Sequence, residues 1–313
     1  MAATRSDSLV SLLVLLYVFT SHAQLTANFY SSSCPNLESI VQSATETAVR
    51  NNPRTPASLL RLFFHDCFVQ GCDASVLLVD AGGEQTARAN RNLQALDVIE
   101  AIKSAVEASC NGTVSCADVL ALATRDGVVL SGGPSWTVLL GRQDATTASE
   151  DEANRNLPSP SSSLSFLINL FAGKGLNLQE LVALSGAHTV GFAPCRAFRT
   201  HIYNESNIDL EFAISARANC PFEGGDDILS PLDVTTRTVF DNAYYTNLVS
   251  LRGLLHSDQE LFNNGPADSI VQNYVASSSV FFRDFAAAMV KLGNISPPAG
   301  SSVEIRRVCS RVN

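Results

Sequence analysis

Leu59-Leu-Arg-Leu-Phe-Phe-His-Asp-Cys-Phe68 is an apolar run that carries an arginine, a histidine and an aspartate. Arg61 and His65 stand four residues apart, so a helix puts them on one face, with Phe64 and Phe68 close by. A neutral imidazole beside a fixed cation and aromatic rings is poorly suited to core packing and well suited to moving protons. Its ordinary pKa of about 6.5 lets it take and return a proton at working pH. A nearby guanidinium favours the neutral base and stabilises a departing anion. The same spacing also fits a surface arginine beside a hydrogen-bonded core histidine.

A second histidine sits in Leu181-Val-Ala-Leu-Ser-Gly-Ala-His-Thr-Val-Gly191. Here an apolar helical stretch reaches Ser-Gly and presents His188. Two readings stand: a satisfied core histidine, or the axial ligand of a haem iron. No Met or Cys occupies a comparable setting; Met289 is the one methionine after the initiator.

Around these segments the chain reads mainly helical. Leu37, Ile40, Val41, Ala44 and Ala48 share one helical face, as do Val98, Ile102, Ala105 and Val106. Leu164, Leu167, Ile168 and Phe171 follow, then Phe281, Phe282, Phe285, Ala288, Met289 and Leu292. Gly, Pro and Ser clusters at 82–83, 131–134 and 158–163 punctuate the pattern. The 313 residues are 46% apolar and only 16% charged, which excludes a disordered chain. The net charge is −9 and the cations are scattered singly, 18 Arg and 3 Lys, so no basic face meets a nucleic-acid backbone.

Residues 1–23 carry Arg5, an apolar run from Leu9 to Phe19 and then Ser21-His22-Ala23, the order of a secretory signal peptide. The run is too short to span a bilayer, and no second one is long enough. Residues 24–313 are therefore expected to form the exported domain. Eight cysteines behind such a leader read as four disulfides, with many pairings open. Asn111, Asn204 and Asn294 head glycosylation sequons. Ser185 lacks the Gly-x-Ser-x-Gly elbow of a serine hydrolase, and neither HExxH nor CxxC marks a zinc site.

The two histidine segments resemble the distal and proximal motifs of the secreted plant haem peroxidases, class III. The resemblance spans nearly all of residues 24–313. It includes Phe29-Tyr-Ser-Ser-Ser-Cys-Pro35, Gly71-Cys-Asp-Ala-Ser-Val-Leu-Leu78, Val114-Ser-Cys-Ala-Asp118 and Gly132-Gly-Pro-Ser-Trp136. Gly141-Arg-Gln-Asp144, Asn156-Leu-Pro158, Phe240-Asp-Asn-Ala-Tyr-Tyr245 and Gly253-Leu-Leu-His-Ser-Asp-Gln-Glu-Leu-Phe262 follow, all in the family's order.

That resemblance implies an all-α haem peroxidase fold of two lobes, with one haem b between distal and proximal helices. It implies reduction of hydrogen peroxide while phenolic donors give up single electrons. His65 is then the distal acid–base, Arg61 the distal cation and Asn90 the residue that fixes the His65 tautomer. His188 is the iron ligand and Asp258 the carboxylate that takes its other ring proton. Pro158 offers a backbone carbonyl to aromatic donors. Two Ca2+ ions are implied, one at Asp66, Val69, Gly71, Asp73 and Ser75, the other at Thr189, Asp233, Thr236, Val239 and Asp241. The implied disulfides are Cys34–Cys110, Cys67–Cys72, Cys116–Cys309 and Cys195–Cys220. A secreted monomer of the extracellular space or cell wall is expected; the lack of a C-terminal extension favours this over the vacuole. Lignin-type phenolic coupling, peroxide removal and stress response share this machinery. With Arg61, His65, Asn90, His188 and Asp258 all present, an inactive scaffold protein is the weaker reading.

Some positions depart from the common pattern. Gln94-Ala95-Leu96 stands where many relatives read Arg-Gly-Phe, Ala197 where some carry an aromatic at the access channel, and Ser161 is similarly small. A less aromatic entrance should hold small phenols less selectively. Ala197→Phe is therefore expected to tighten a small phenol, read as a lower KM in steady-state oxidation; an unchanged KM would count against this role for position 197.

Overall fold

The computed structural model describes residues 25–79 and 82–313; the leader assigned to residues 1–23 lies outside them. The described helices are α1 (Leu37–Asn51), α2 (Thr55–Phe68), α3 (Leu96–Ser109), α4 (Cys116–Leu130), α5 (Glu150–Asn156), α6 (Leu164–Gly173) and α7 (Leu178–Ser185). They continue as α8 (Arg199–Asn204), α9 (Leu210–Asn219), α10 (Ala243–Val249), α11 (His256–Gln259), α12 (Asp268–Ala276) and α13 (Ser278–Gly293). Among the described residues, no helix is long and apolar enough to cross a membrane.

Local chemistry explains where the helices begin. Ser115, Ser149, Ser163 and Ser277 cap α4, α5, α6 and α13 by accepting a backbone N–H. Asn177 and Glu180 form a reciprocal capping box at the start of α7. The apolar stripes become core faces: Leu37 and Val41 on α1, and Phe281, Phe285, Ala288, Met289 and Leu292 on α13 are buried. On α3 the buried stripe runs through Ile99, Ile102 and Val106, whereas Ala105 is exposed.

Among the described residues, four short strands supplement the helices. β1 (Asp144–Ala145) pairs antiparallel with β4 (Val303–Glu304), and β2 (Phe192–Pro194) with β3 (Leu229–Pro231). Strands of two or three residues are too short for alternation to register in the sequence. One large apolar core joins most helices, and a smaller one gathers Ala193, Phe198, Ile202, Leu254 and Leu255 around the Cys195–Cys220 bridge. The remaining disulfides are Cys34–Cys110, Cys67–Cys72 and Cys116–Cys309. Cys116–Cys309 spans 193 residues and ties the C-terminal segment to the first turn of α4.

α2 packs on α4, where Gly127 lets the helices approach closely: a Cβ there would lie 3.3 Å from the Pro56 Cα. Leu59, Leu62 and Phe63 of α2 are buried. The helix stops at Phe68 because Gln70 and Gly71 both take positive φ. Gly71, at φ +94°, has no room for a side chain, since a Cβ would meet the Ser296 carbonyl carbon at 2.6 Å.

Buried charges fasten these layers. Asp118, fully buried on α4, accepts from the Arg142 guanidinium at 2.7 Å, the Tyr30 hydroxyl at 2.9 Å and the Gly141 amide at 2.7 Å. Arg142 also donates to the Gly293 carbonyl that ends α13. One carboxylate thus joins the N-terminal segment, α4, the 139–142 loop and α13. Removing one partner of such a pair leaves a buried charge uncompensated, at a cost of about 3–5 kcal/mol. Asp118→Asn should lose stability on this scale, measured as a lower denaturant midpoint with an unchanged m-value.

Candidate functional site

The C-terminal half of α2 presents Arg61 and His65 on one face, one turn apart, as their spacing requires. His65 is buried and its Nδ1 lies 2.5 Å from Asn90 Oδ1. Asn90 is itself oriented, because its amide donates to the Glu84 carbonyl at 2.9 Å. The oxygen of Asn90 therefore faces the ring, and Nδ1 carries the proton that it accepts. Nε2 is left as the basic nitrogen, approached by Arg61 Nε at 3.4 Å. Burial, then the Arg61 charge, push the His65 pKa down to about 3, against a weaker upward pull from Asn90. The imidazole is held neutral, the state a proton acceptor needs.

Arg61 is clamped in turn. Its Nη2 donates to the Ala89 carbonyl at 2.7 Å and to Asn92 Oδ1 at 3.0 Å. The 87–93 loop thus sets both members of the pair, Asn90 through the base and Ala89 with Asn92 through the cation. Asn92 carries no motif of its own, and the sequence reading passed over it.

His188 sits on a 3-10 turn, Gly186–Thr189, into which α7 tightens at its end. Its Nδ1 lies 2.7 Å from Asp258 Oδ1, on α11. Asp258 is buried, and the Tyr244 hydroxyl donates to the same oxygen at 2.9 Å. Burial opposes protonation of His188, but the Asp258 charge and hydrogen bond outweigh it and raise its pKa. Tyr244 was quoted only as part of a motif, and nothing in its spacing assigns it to the carboxylate.

With Nδ1 engaged, Nε2 of His188 is free to bind a metal. The His188 side chain is 39% exposed although α7 beneath it is buried at Leu181, Val182 and Ala183. Arg61, Phe64 and Ala187 are likewise half-open among buried neighbours. α2 packs against the 186–189 turn, and the Arg61 charge reaches His188 and opposes its protonation. Phe64 packs on Phe68 and Phe171. A free imidazole nitrogen on one element and a buried neutral base on its neighbour form a set of side chains that fits an iron porphyrin.

Comparison with known proteins agrees with this chemistry. A family model described as Peroxidase matches residues 41–277. The chain belongs to the peroxidase family. It is 55% identical to Peroxidase 2 of Oryza sativa subsp. japonica, with all of both chains covered. It is 56% identical to Peroxidase 22.3 of the same plant, over 100% of this chain and 99% of the relative. Peroxidase P7 of Brassica rapa subsp. rapa is 56% identical over 93% of this chain and 100% of its own. These relatives identify the chain as a class III plant peroxidase, a haem enzyme that spends hydrogen peroxide on oxidising donor molecules.

The peroxidase also gathers the two acidic sets implied for calcium. On the distal side, Asp66 is fully buried and neither carboxylate oxygen has a hydrogen-bond partner; the Ser75 hydroxyl is equally unpartnered. Burial pushes the Asp66 pKa well up, and the Asp73 and Glu84 charges add to this. Burial likewise lifts Asp73 to about 6 and Glu84 to about 8. Three carboxyl groups crowded in the interior with free oxygens form a strained anion cluster that a hard divalent cation would relieve. Val69 and Gly71 lie between them in the chain, in the loop that Cys67–Cys72 closes. Glu84, six residues before Asn90, had no place in the cation set from sequence, since an acid after Gly83 looks like any loop residue.

On the proximal side, the Thr189 hydroxyl lies 3.3 Å from both Asp233 Oδ2 and Asp241 Oδ1. The Thr236 hydroxyl lies 3.1 Å from Asp241 Oδ1. Val239 is 48% exposed, on the outer side of this set, where only its backbone carbonyl suits a cation. Pro158 is half-buried in the loop after α5, and Ser161 beside it is exposed. Ala197 is half-buried against the smaller core. Asn111, Asn204 and Asn294 are all exposed.

The depressed basicity of His65 has a direct kinetic consequence. A base is active when neutral, and His65 is neutral above its own pKa of about 3. The rate of reaction with peroxide should be flat from neutrality to about pH 4 and fall only as pH approaches 3. Stopped-flow rates would check this. Arg61→Leu should move the break to higher pH, because the lost cation no longer opposes protonation.

Proposed function

We propose that this peroxidase holds one haem b between α2 and the 186–189 turn through His188 Nε2, and cleaves peroxide with His65, Arg61 and Asn90. The observation that carries the reading is the paired arrangement of the two rings. Each gives its Nδ1 proton to a buried oxygen, Asn90 Oδ1 or Asp258 Oδ1, and each keeps Nε2 unprotonated, that of His65 facing Arg61 Nε.

Bound haem supplies the electrons that split the O–O bond and recovers them one at a time from organic donors. The chain's own residues manage protons and charge. His65 Nε2 takes a proton from one peroxide oxygen and returns it to the other. Asn90 keeps the ring in the tautomer that makes this a round trip. Arg61, held by Ala89 and Asn92, stabilises negative charge developing on the departing oxygen. Asp258 draws on the His188 Nδ1 proton and makes the ring a stronger electron donor, and Tyr244 holds that carboxylate in line.

Two Ca2+ ions support the site. One takes Asp66, Asp73 and Ser75 with the carbonyls of Val69 and Gly71; Asp66 directly follows His65 in α2. The other takes Thr189, Asp233, Thr236, Val239 and Asp241, and Thr189 directly follows His188. Each ion thus braces one histidine from the next residue in the chain. Pro158, half-buried in the loop after α5, would offer its backbone carbonyl to phenolic donors. Residues 24–313 act as one secreted, monomeric domain, after cleavage behind Ala23, in the extracellular space or wall; phenolic coupling and peroxide removal are the roles this chemistry fits.

Two measurements test the reading. His65→Ala should retain haem, with a Soret band near normal, and lose about 10²–10⁴-fold in the rate with peroxide. Wild-type rates in that variant would remove His65 from the mechanism. Dialysis against a calcium chelator should release two Ca2+ per chain and lower the thermal midpoint; retention of midpoint and spectrum would remove the metals from the account.

A further inference from the structure

The chain has four histidines beyond residue 23. His65 and His188 belong to the site already described. The other two, His201 and His256, lie 55 positions apart in sequence and converge on one carboxylate. His201 stands on α8, Glu205 immediately follows that helix, and His256 is the first residue of α11. His201 Nδ1 lies 2.7 Å from Glu205 Oε2, and His256 Nδ1 lies 2.8 Å from the same oxygen. We propose that His201, Glu205 and His256 form a binding site for a transition-type divalent cation such as Zn2+, separate from the haem and calcium sites.

Three features support the assignment. First, the donor atoms all lie within 4.8 Å of one another. A tetrahedral ion with bonds of about 2.0–2.1 Å needs donors about 3.3 Å apart, so each imidazole would retreat from the carboxylate by about 0.5 Å. Second, the donors are two imidazoles and one carboxylate, a set that suits zinc, copper or nickel; calcium and magnesium take oxygen alone. Third, the cluster is closed on one side and open on the other. The His201 side chain is fully buried, whereas Glu205 and His256 are 23% and 26% exposed. Water can complete the fourth position from the open side. His201 Nε2 is buried without a partner, so Nδ1, facing Glu205, is the nitrogen this ring offers.

The position gives the site a mechanical effect. α8 belongs to the smaller core and α11 carries Asp258 two residues after His256. A metal bridging His201 and His256 clamps these elements together, at the base of the segment that positions the proximal carboxylate.

Equilibrium dialysis of the holoenzyme against Zn2+, in buffer with excess Ca2+ to keep the oxygen sites filled, tests the proposal. Metal per chain is read by elemental analysis. Wild type should bind one Zn2+ more than either His256→Gln or Glu205→Gln, and added Zn2+ should raise its thermal midpoint but not theirs. His256 and Glu205 are both partly exposed, so these variants avoid the buried His201; a normal Soret band and circular dichroism spectrum confirm their fold. Equal zinc in wild type and variants, or none in wild type, would mean a purely hydrogen-bonded triad and overturn the proposal. Haem content and peroxide turnover, read on the same samples, report separately on the haem reading.

Discussion

An imidazole has two nitrogens, and a neutral one can donate from one and accept at the other but not both at each. The site depends on that constraint. Asn90 takes the Nδ1 proton of His65 and Asp258 takes that of His188. The two acceptors differ in charge, and so do their effects. A neutral amide fixes a tautomer while adding little basicity, so burial and Arg61 keep His65 unprotonated. A buried carboxylate pulls hard on its proton and raises the basicity of His188. Two copies of one side chain thereby acquire opposite tasks from a single atom of difference in their partners.

Such partners must be held rigidly, and the fold does so with buried polar groups. Asn90 is fixed by a backbone carbonyl, Asp258 by Tyr244, and Arg61 by Ala89 and Asn92. Asp118 and Arg142 fasten α4 to the end of α13, and Asp144 receives the amides of Cys116 and Ala117 at the head of α4. Arg306, fully buried, reaches the Ala74 and Cys309 carbonyls beside the distal acidic cluster. These groups are costly inside a protein unless every partner is present, so they enforce one arrangement of the layers.

The helices were legible because apolar spacing and Ser or Asn caps are local signals. Arg61 and His65 could be placed on one face for the same reason, since four residues of separation have one meaning in a helix. Asn90 and Asp258 were reached only through resemblance. Alone, each looks like a turn or cap residue, because what makes it a partner is a histidine 25 or 70 positions away. Asn92 escaped altogether, and Tyr244 and Glu84, though within motifs, had no partner assigned, for want of any local pattern. The short strands were missed because two or three residues are too few to show alternation. The absence of HExxH spacing gave no hint of His201, Glu205 and His256, since that test covers only ligands that are near in sequence.

By itself the sequence determined a helical chain with export and disulfide signals, two histidines in chemically loaded settings, and the family they resemble. The helices, the export and disulfide signals and the setting of the two histidines follow from composition, periodicity and short-range spacing, which survive in an unfolded chain; the family rests on the resemblance of its motifs. Tertiary structure decided which nitrogen of each histidine is free, which carboxylates share an interior, and which cysteines face each other. These are distances between residues far apart in the chain, and only packing of the helices sets them.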